Sequence, residues 1–299
     1  MTAPVHYSSC PVCRSSRIAL RTELKDHSVS GETFEIWECA DCTLRFTQDV
    51  PASSEIGRYY QSDNYISHTD TEKGIINRLY HLVRKRTLLS KKAMVLRYSQ
   101  KQNGALLDIG AGTGAFASVM QEGGWQVTAL EPDPQARALA EKRHTIQLQE
   151  PSALFELKDD SIDVITLWHV LEHVHTLQEY LAQFKKIVRK GGMLLIAVPN
   201  YTAEDAKKYG HYWAAYDVPR HLYHFSPASM QALLRLHGLE LLQMLPMWYD
   251  SFYVSMLSEK YKTGKQQLIK GIWSGMVSNW KAFKQRNRCS SLVYVVKIP

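Results

Sequence analysis

The stretch Leu107-Asp108-Ile109-Gly110-Ala111-Gly112-Thr113-Gly114-Ala115-Phe116 decides how this chain folds. The apolar run over residues 105–109 reads as a buried strand, and the pattern from Ala115 to Glu122 reads as a helix. Three glycines at alternate positions let the chain turn sharply from one to the other. They also let a ligand approach the backbone without interference from a Cβ atom. Glu131 follows about twenty residues later, at the end of the next apolar run. A carboxylate there accepts hydrogen bonds from both hydroxyls of a ribose.

Outward from this loop, strand and helix patterns alternate. Residues 126–130 read as a strand, 134–143 as a helix, 146–148 as a weaker strand and 162–167 as a fourth strand. Residues 177–188 read as a helix closed by Gly191-Gly192, and 193–198 as a fifth strand. Such alternation implies a parallel sheet with helices on both faces. Two further strands, 239–244 and 292–297, lack a simple crossover helix and suit an antiparallel edge. The expected fold is therefore α/β, a Rossmann-like seven-stranded, mostly parallel sheet with an antiparallel edge. A small zinc-ribbon-like module over 1–50 precedes it, and 51–103 form a linker and amphipathic helix. The domain over 104–299 carries a helical insertion, read as a lid, at about 250–288.

The glycine loop formally fits two nucleotide cofactors. Gly110-x-Gly112-x-x-Ala115 satisfies the dinucleotide fingerprint. Asp108, however, stands just before the turn, where it would repel a pyrophosphate and would hold a cationic amino group. The early third glycine, Gly114, also favours a sulfonium nucleoside. LDIGAGTGAF resembles the first motif of class I S-adenosylmethionine-dependent methyltransferases, of the type 12/23 kind. Residues 162–174 (IDVITLWHVLEHV) resemble the fourth strand and following turn of that superfamily, and 191–200 (GGMLLIAVPN) resemble its fifth strand. The resemblance implies a methyltransferase whose S-adenosylmethionine meets Asp108, Gly110, Gly112, Gly114 and Glu131, with Trp168 or His169 nearby. Glu150 is a candidate for the adenine by position alone.

Cys10-Pro11-Val12-Cys13 and Cys39-Ala40-Asp41-Cys42 are two C-x-x-C knuckles, and four thiolates close a tetrahedral zinc shell. The expected role is structural, because a closed shell has no open position. A redox pair is the alternative. The Trp37–Phe46 pattern with Tyr59, Tyr60 and Tyr65 resembles methyltransferases of glycan and natural-product pathways, including zinc-containing sugar C-methyltransferases. Ribosomal RNA guanine methyltransferases with an N-terminal zinc finger are the competing comparison.

Candidate catalytic residues are histidines. A neutral imidazole suits removal of the acceptor's proton, and His221 or His224, after the fifth strand, are the first candidates. His169-x-x-Glu172-His173 follows the fourth strand and carries three readings: packing, a share in base catalysis, or a metal site. The last resembles the E-x-x-E-H site of small-RNA 2′-O-methyltransferases and some ubiquinone-pathway O-methyltransferases, with His169 in place of the first glutamate. The aromatics from Tyr212 to Phe225 read either as a pocket wall or as core packing.

The 299 residues carry 36 Lys and Arg against 29 Asp and Glu, for a net charge of +7. Basic residues cluster over 73–101 and 260–288, either as solvated helix faces or as surfaces for anions. No transmembrane run or secretory leader is expected, which points to a cytoplasmic protein. The acceptor is expected to be a small molecule, a lipid-linked compound or a glycan precursor. RNA is the alternative, peripheral membrane contact a minor one, and a non-catalytic cofactor-binding module the reading from another class.

Overall fold

The computed structural model describes residues 3–60 and 75–299, of which 75–82 by their backbone alone. Tyr65, Lys73 and the side chain of Arg78 lie outside the described residues.

Three antiparallel strands open the chain: β1 (Ile18–Lys25), β2 (Thr33–Cys39) and β3 (Arg45–Thr47). The linker leads into α1 (Ile75–Ser99). Strands and helices then alternate through β4 (Ala105–Ile109), α2 (Ala115–Glu122), β5 (Gln126–Leu130), α3 (Pro134–His144) and β6 (Ile162–Trp168). They continue through α4 (Leu177–Ile187), β7 (Val188–Pro199), α5 (Glu204–Tyr209), β8 (Tyr223–His224), α6 (Pro227–Leu236) and β9 (Glu240–Pro246). Two helices, α7 (Asp250–Thr263) and α8 (Leu268–Lys284), precede β10 (Ser291–Lys297).

Among the described residues the main sheet has six strands in the order β5-β4-β6-β7-β10-β9. β4, β5, β6 and β7 are parallel, and β10 runs antiparallel to both β7 and β9. The expected α/β class and antiparallel edge are therefore present, but the seventh strand is not. Residues 146–148 form no strand. Their neighbour Gln149 makes a single parallel bridge to Leu130, so pairing at that edge stops after one step. The pair Gly191-Gly192 does not close a helix. It lies inside β7, where the register against β6 shifts between Val188 and Met193.

The central strands are apolar on both faces because helices cover both. Leu107, Ile109, Ile165, Leu167, Leu194 and Ile196 pack with α4 and α6 on one side. Leu106, Val164, Leu195 and Val293 pack with α1 and α2 on the other.

The N-terminal sheet is completed from far along the chain. β3 pairs with β8, matching Arg45 with His224 and Phe46 with Tyr223. Cys10, Cys39 and Cys42 are buried in the same apolar cluster as Leu177 and Leu181 of α4. Gln178 donates to the carbonyl of Pro11 at 2.6 Å. Arg220 is a second clamp: its guanidinium donates to Asp26 at 3.0 Å, to Asp217 at 2.7 Å and to the Tyr59 carbonyl at 2.7 Å. It is almost wholly buried, and both carboxylates are held below the usual range, Asp26 far below, because its charge and hydrogen bonds outweigh their burial.

Candidate active site

The glycine loop leaves β4 with φ of 68° at Gly110, 55° at Gly112 and 76° at Gly114. The three positions differ in surroundings. A Cβ on Gly110 would stand 2.3 Å from Val170 Cγ2, and one on Gly114 would stand 3.0 Å from Ala140 Cβ. Nothing lies within 4 Å of a Cβ built on Gly112. The outer glycines therefore serve packing, and the middle one faces open space. Its N–H donates to Glu131 Oε2 at 2.7 Å, and the Asp133 N–H donates to Oε1 at 3.1 Å. These bonds hold the Glu131 carboxylate at the tip of β5, while burial raises its proton affinity.

Asp108 is buried at the end of β4. Its Oδ1 accepts from Thr166 Oγ1 at 2.6 Å, and its Oδ2 has no hydrogen-bond partner. Burial pushes this carboxyl up to about 7, although the Thr166 bond and the Lys91 charge oppose the shift. Lys91 of α1 lies 4.5 Å from the centre of the Trp168 ring. Trp168 meets Phe116 edge to face at 5.5 Å. An orphaned buried acceptor, an open glycine and a second carboxylate thus line one rim. These donors suit an aminoacyl nucleoside: Asp108 for an ammonium group, Gly112 for close backbone approach, Glu131 for a ribose. Glu150 is largely exposed and engaged by Arg137 at 3.0 Å.

His169 follows β6 in a left-handed conformation, φ 62°. Its Nε2 lies 2.8 Å from Asp250 Oδ2, and its Nδ1 lies 3.5 Å from Glu172 Oε1. Burial disfavours the charged ring, but Asp250 and Glu172 outweigh it and push the pKa up to about 10. His169 is therefore an imidazolium at neutral pH and has no lone pair with which to take a proton. Asp250, the first residue of α7, had no signal in the sequence.

The structure groups Glu172, His173 and His221, whose ligating atoms all lie within 4.8 Å of one another. His173 Nδ1 faces the Arg220 carbonyl at 2.9 Å, and His221 Nδ1 faces the Ala215 carbonyl at 2.9 Å. A carbonyl only accepts, so each Nδ1 carries a proton, and in the neutral form of either ring the lone pair is on Nε2. The two rings meet edge to face at 4.6 Å. Burial and the neighbouring His221 bring His173 down to about 4. Glu172 is fully buried, and neither oxygen has a hydrogen-bond partner. Its carboxyl is nevertheless held below its ordinary pKa, because the adjacent charged His169 outweighs the cost of its burial.

His224 is not part of this group. It lies in β8 with Nε2 3.3 Å from Thr47 Oγ1 and its ring edge-on to Tyr216 at 5.1 Å. Burial depresses its pKa strongly. The neighbouring aromatics are also packed inward: Trp213 donates to Asp205 at 2.9 Å, Tyr216 accepts from Arg45 at 2.8 Å, and Phe225 is buried.

The four N-terminal thiols gather as the spacing required. All lie within 4.8 Å of one another, with Cys10 to Cys42 and Cys13 to Cys39 each 3.5 Å between sulfurs. A tetrahedron with Zn–S bonds of about 2.3 Å has edges of about 3.8 Å, so the set fits a zinc ion.

Residues 80–244 match the model of a methyltransferase-domain family. That is more than half of the chain, and the protein belongs to this family, the class I S-adenosylmethionine-dependent methyltransferases. The ubiquinone biosynthesis O-methyltransferase of Rickettsia typhi is 26% identical over 146 residues, which cover 46% of this chain and 58% of that one. The corresponding protein of Rickettsia felis is 25% identical, covering 62% of this chain and 81% of its own. The malonyl-[acyl-carrier protein] O-methyltransferase of Serratia marcescens is 30% identical, covering 42% and 49%. The matched part thus spans roughly half the length of several curated relatives. Among solved structures, a putative sarcosine dimethylglycine methyltransferase from Galdieria sulphuraria superposes with a TM-score of 0.52 at 16% identity, over 74% of this chain and 88% of that one. Geranyl diphosphate C-methyltransferase from Streptomyces coelicolor A3(2) gives 0.50 at 10% identity, over 79% and 85%. These structural likenesses speak for the fold.

Proposed function

We propose that this protein transfers the methyl group of S-adenosylmethionine to an oxygen or carbon atom of a small-molecule, lipid-linked or glycan-precursor acceptor. The observation that carries the reading is the rim formed by the unpartnered Asp108 Oδ2, the open Gly112 and Glu131. The bound cofactor supplies an electrophilic methyl group on a sulfonium centre. Asp108 would hold its ammonium group, Glu131 its ribose, and Trp168 would flank it.

His221 is the base in this reading. Its Nδ1 is fixed on the Ala215 carbonyl, so its Nε2 is the proton acceptor. The buried carboxylate of Glu172 would stabilise the imidazolium that forms. His169, already charged, would position Glu172 and hold the insertion through Asp250. His224 is assigned to packing. The zinc ion proposed at the four cysteines would hold the N-terminal strands against α4 and take no part in the reaction.

A second reading has its own observation. Two histidine rings and an unpartnered carboxylate, with ligand atoms within 4.8 Å of one another, also form a ligand set for a divalent metal. Metal analysis separates the two: one zinc per chain, lost on substitution of the cysteines, supports the base, and a second ion lost with His221→Ala supports the metal.

The deciding experiment supplies purified protein with methyl-labelled S-adenosylmethionine and fractionated cell extract. Label in small molecules or lipids supports the proposal. Label in RNA replaces it with an RNA methyltransferase. Cofactor binding without label in any fraction favours a non-catalytic module.

A further inference from the structure

Among the described residues, α8 has an inverted surface. Its inward face carries Gly271, Ser274, Gly275, Ser278 and Ala282, all buried. A Cβ on Gly271 would stand 2.6 Å from Met256 Cα, and one on Gly275 would stand 2.9 Å from Phe252 Cα. The small residues thus let α8 lie close against α7 and fix its rotation. The outward face carries Ile269, Trp273, Met276, Trp280 and Phe283, at alternating steps of four and three residues. At 3.6 residues per turn these form one stripe, and each is between 50% and 85% exposed. A surface helix normally buries such residues and exposes its small ones.

The charge around the stripe is one-sided. Between residues 250 and 288 all the basic residues are exposed. Lys281 and Arg288 pair with Glu204 of α5 at 3.2 and 3.1 Å, whereas Lys260, Lys262, Lys265, Lys270, Lys284 and Arg286 stand around the stripe without a carboxylate of this segment beside them. The segment's two carboxylates are turned inward, Asp250 onto His169 and Glu259 onto Tyr209. Lys270 and Lys284 flank the stripe on α8, and Lys284 lies 5.4 Å from the Trp280 ring. A second copy docked here would set this cationic surface against itself.

We propose that α8 is a membrane-surface anchor, lying in the headgroup layer of an anionic lipid bilayer with its apolar stripe inserted and its lysines on lipid phosphates. Tryptophans and a phenylalanine beside lysines are suited to that layer. Among the described residues no helix is long and apolar enough to cross a membrane, so the anchor lies on the surface. The inference does not depend on the reaction catalysed.

The test is sedimentation with phosphatidylcholine vesicles, with and without phosphatidylglycerol, using the full chain and the double variant Trp273→Ser/Trp280→Ser. The expected result is binding to the anionic vesicles only, weakened about tenfold or more in the variant and also weakened by salt. Quenching of tryptophan fluorescence by brominated lipid should accompany it and fall in the variant. Circular dichroism and melting of the variant should match the parent, since every changed residue is exposed. Absence of binding to either vesicle would overturn the proposal. So would a concentration-dependent dimer of the parent that the double variant abolishes, because a second copy would then be the occupant.

Discussion

Two additions flank the methyltransferase sheet, and they are attached in opposite ways. The N-terminal strands are sewn in: their sheet borrows β8, their cysteines join the main core, and Arg220 and Gln178 tie them to later segments. The α7–α8 pair is held by close contact of small residues, by buried serine hydrogen bonds and by the ion pairs Asp250–His169 and Lys281–Glu204, and keeps its largest α8 side chains outside. In the first addition the large and charged side chains carry stability. In the second the glycines and serines do, which leaves the large ones available for something other than folding.

The largest test of this contrast is loss of the thiolate set. A structural zinc ion contributes on the order of 10 kcal/mol to small modules. Cys39→Ser, or a strong chelator, is therefore expected to unfold the N-terminal strands, with metal loss and melting as the readouts. Cofactor turnover should fall too, since β8 then loses its partner two residues from His221. A smaller break comes from Arg220→Met, which leaves Asp26 as an unpaired buried charge and Asp217 as a half-buried one. Removing one partner of a buried pair costs about 3–5 kcal/mol, measurable by urea unfolding. On the other side, Gly271→Leu forces a side chain against the backbone of α7. It should cost about 1–3 kcal/mol, whereas Trp273→Ser should stay within about 0.5 kcal/mol.

The His169–Asp250 pair sharpens the comparison through pH, because it joins the insertion to the sheet. His169 is raised to about 10 in the folded protein against about 6.5 for a free imidazole. Its contribution is complete below about pH 6.5 and fades as the pH rises through about 10. The stability difference between the parent and Asp250→Asn, followed by chemical unfolding, should therefore be greatest between about pH 5 and 6.5, shrink above that as His169 loses its charge, and shrink in acid as Asp250, held below its ordinary range by His169, is protonated. A difference that grew as the pH rose above that window would remove the charged histidine from the account. For chemistry, His221→Gln should lower turnover by about 10²–10⁴-fold with cofactor affinity unchanged. Equal turnover would end its role as the base.

Local pattern explains what could be foreseen. The strand, glycine turn and helix around Asp108 are contiguous, so period and glycine spacing reveal them, and the C-x-x-C pairs show their geometry in their own spacing. The missing edge strand was less legible. Residues 146–148 alternate apolar and polar, yet only a neighbouring strand's length decides whether they pair. Least visible were meetings between distant segments: Lys91 with Asp108, Asp250 with His169, and His221 rather than His224 with Glu172. His221 and His224 are three residues apart, and only the pairing of β8 with β3 turns one towards the cluster and the other into the interior.

The borrowed strand also sets an order of events during synthesis. All four cysteines, β1, β2 and β3 leave the ribosome within the first 47 residues, but β8 ends at His224. At about 5–20 residues per second the first three strands wait roughly 10–35 s for the fourth. During that interval the apolar side of the nascent sheet, with Phe46 and Leu44, has no cover from α4 or α6. A metal ion bound early at the thiolates would hold the growing chain's first structure together until its own later residues arrive to close it.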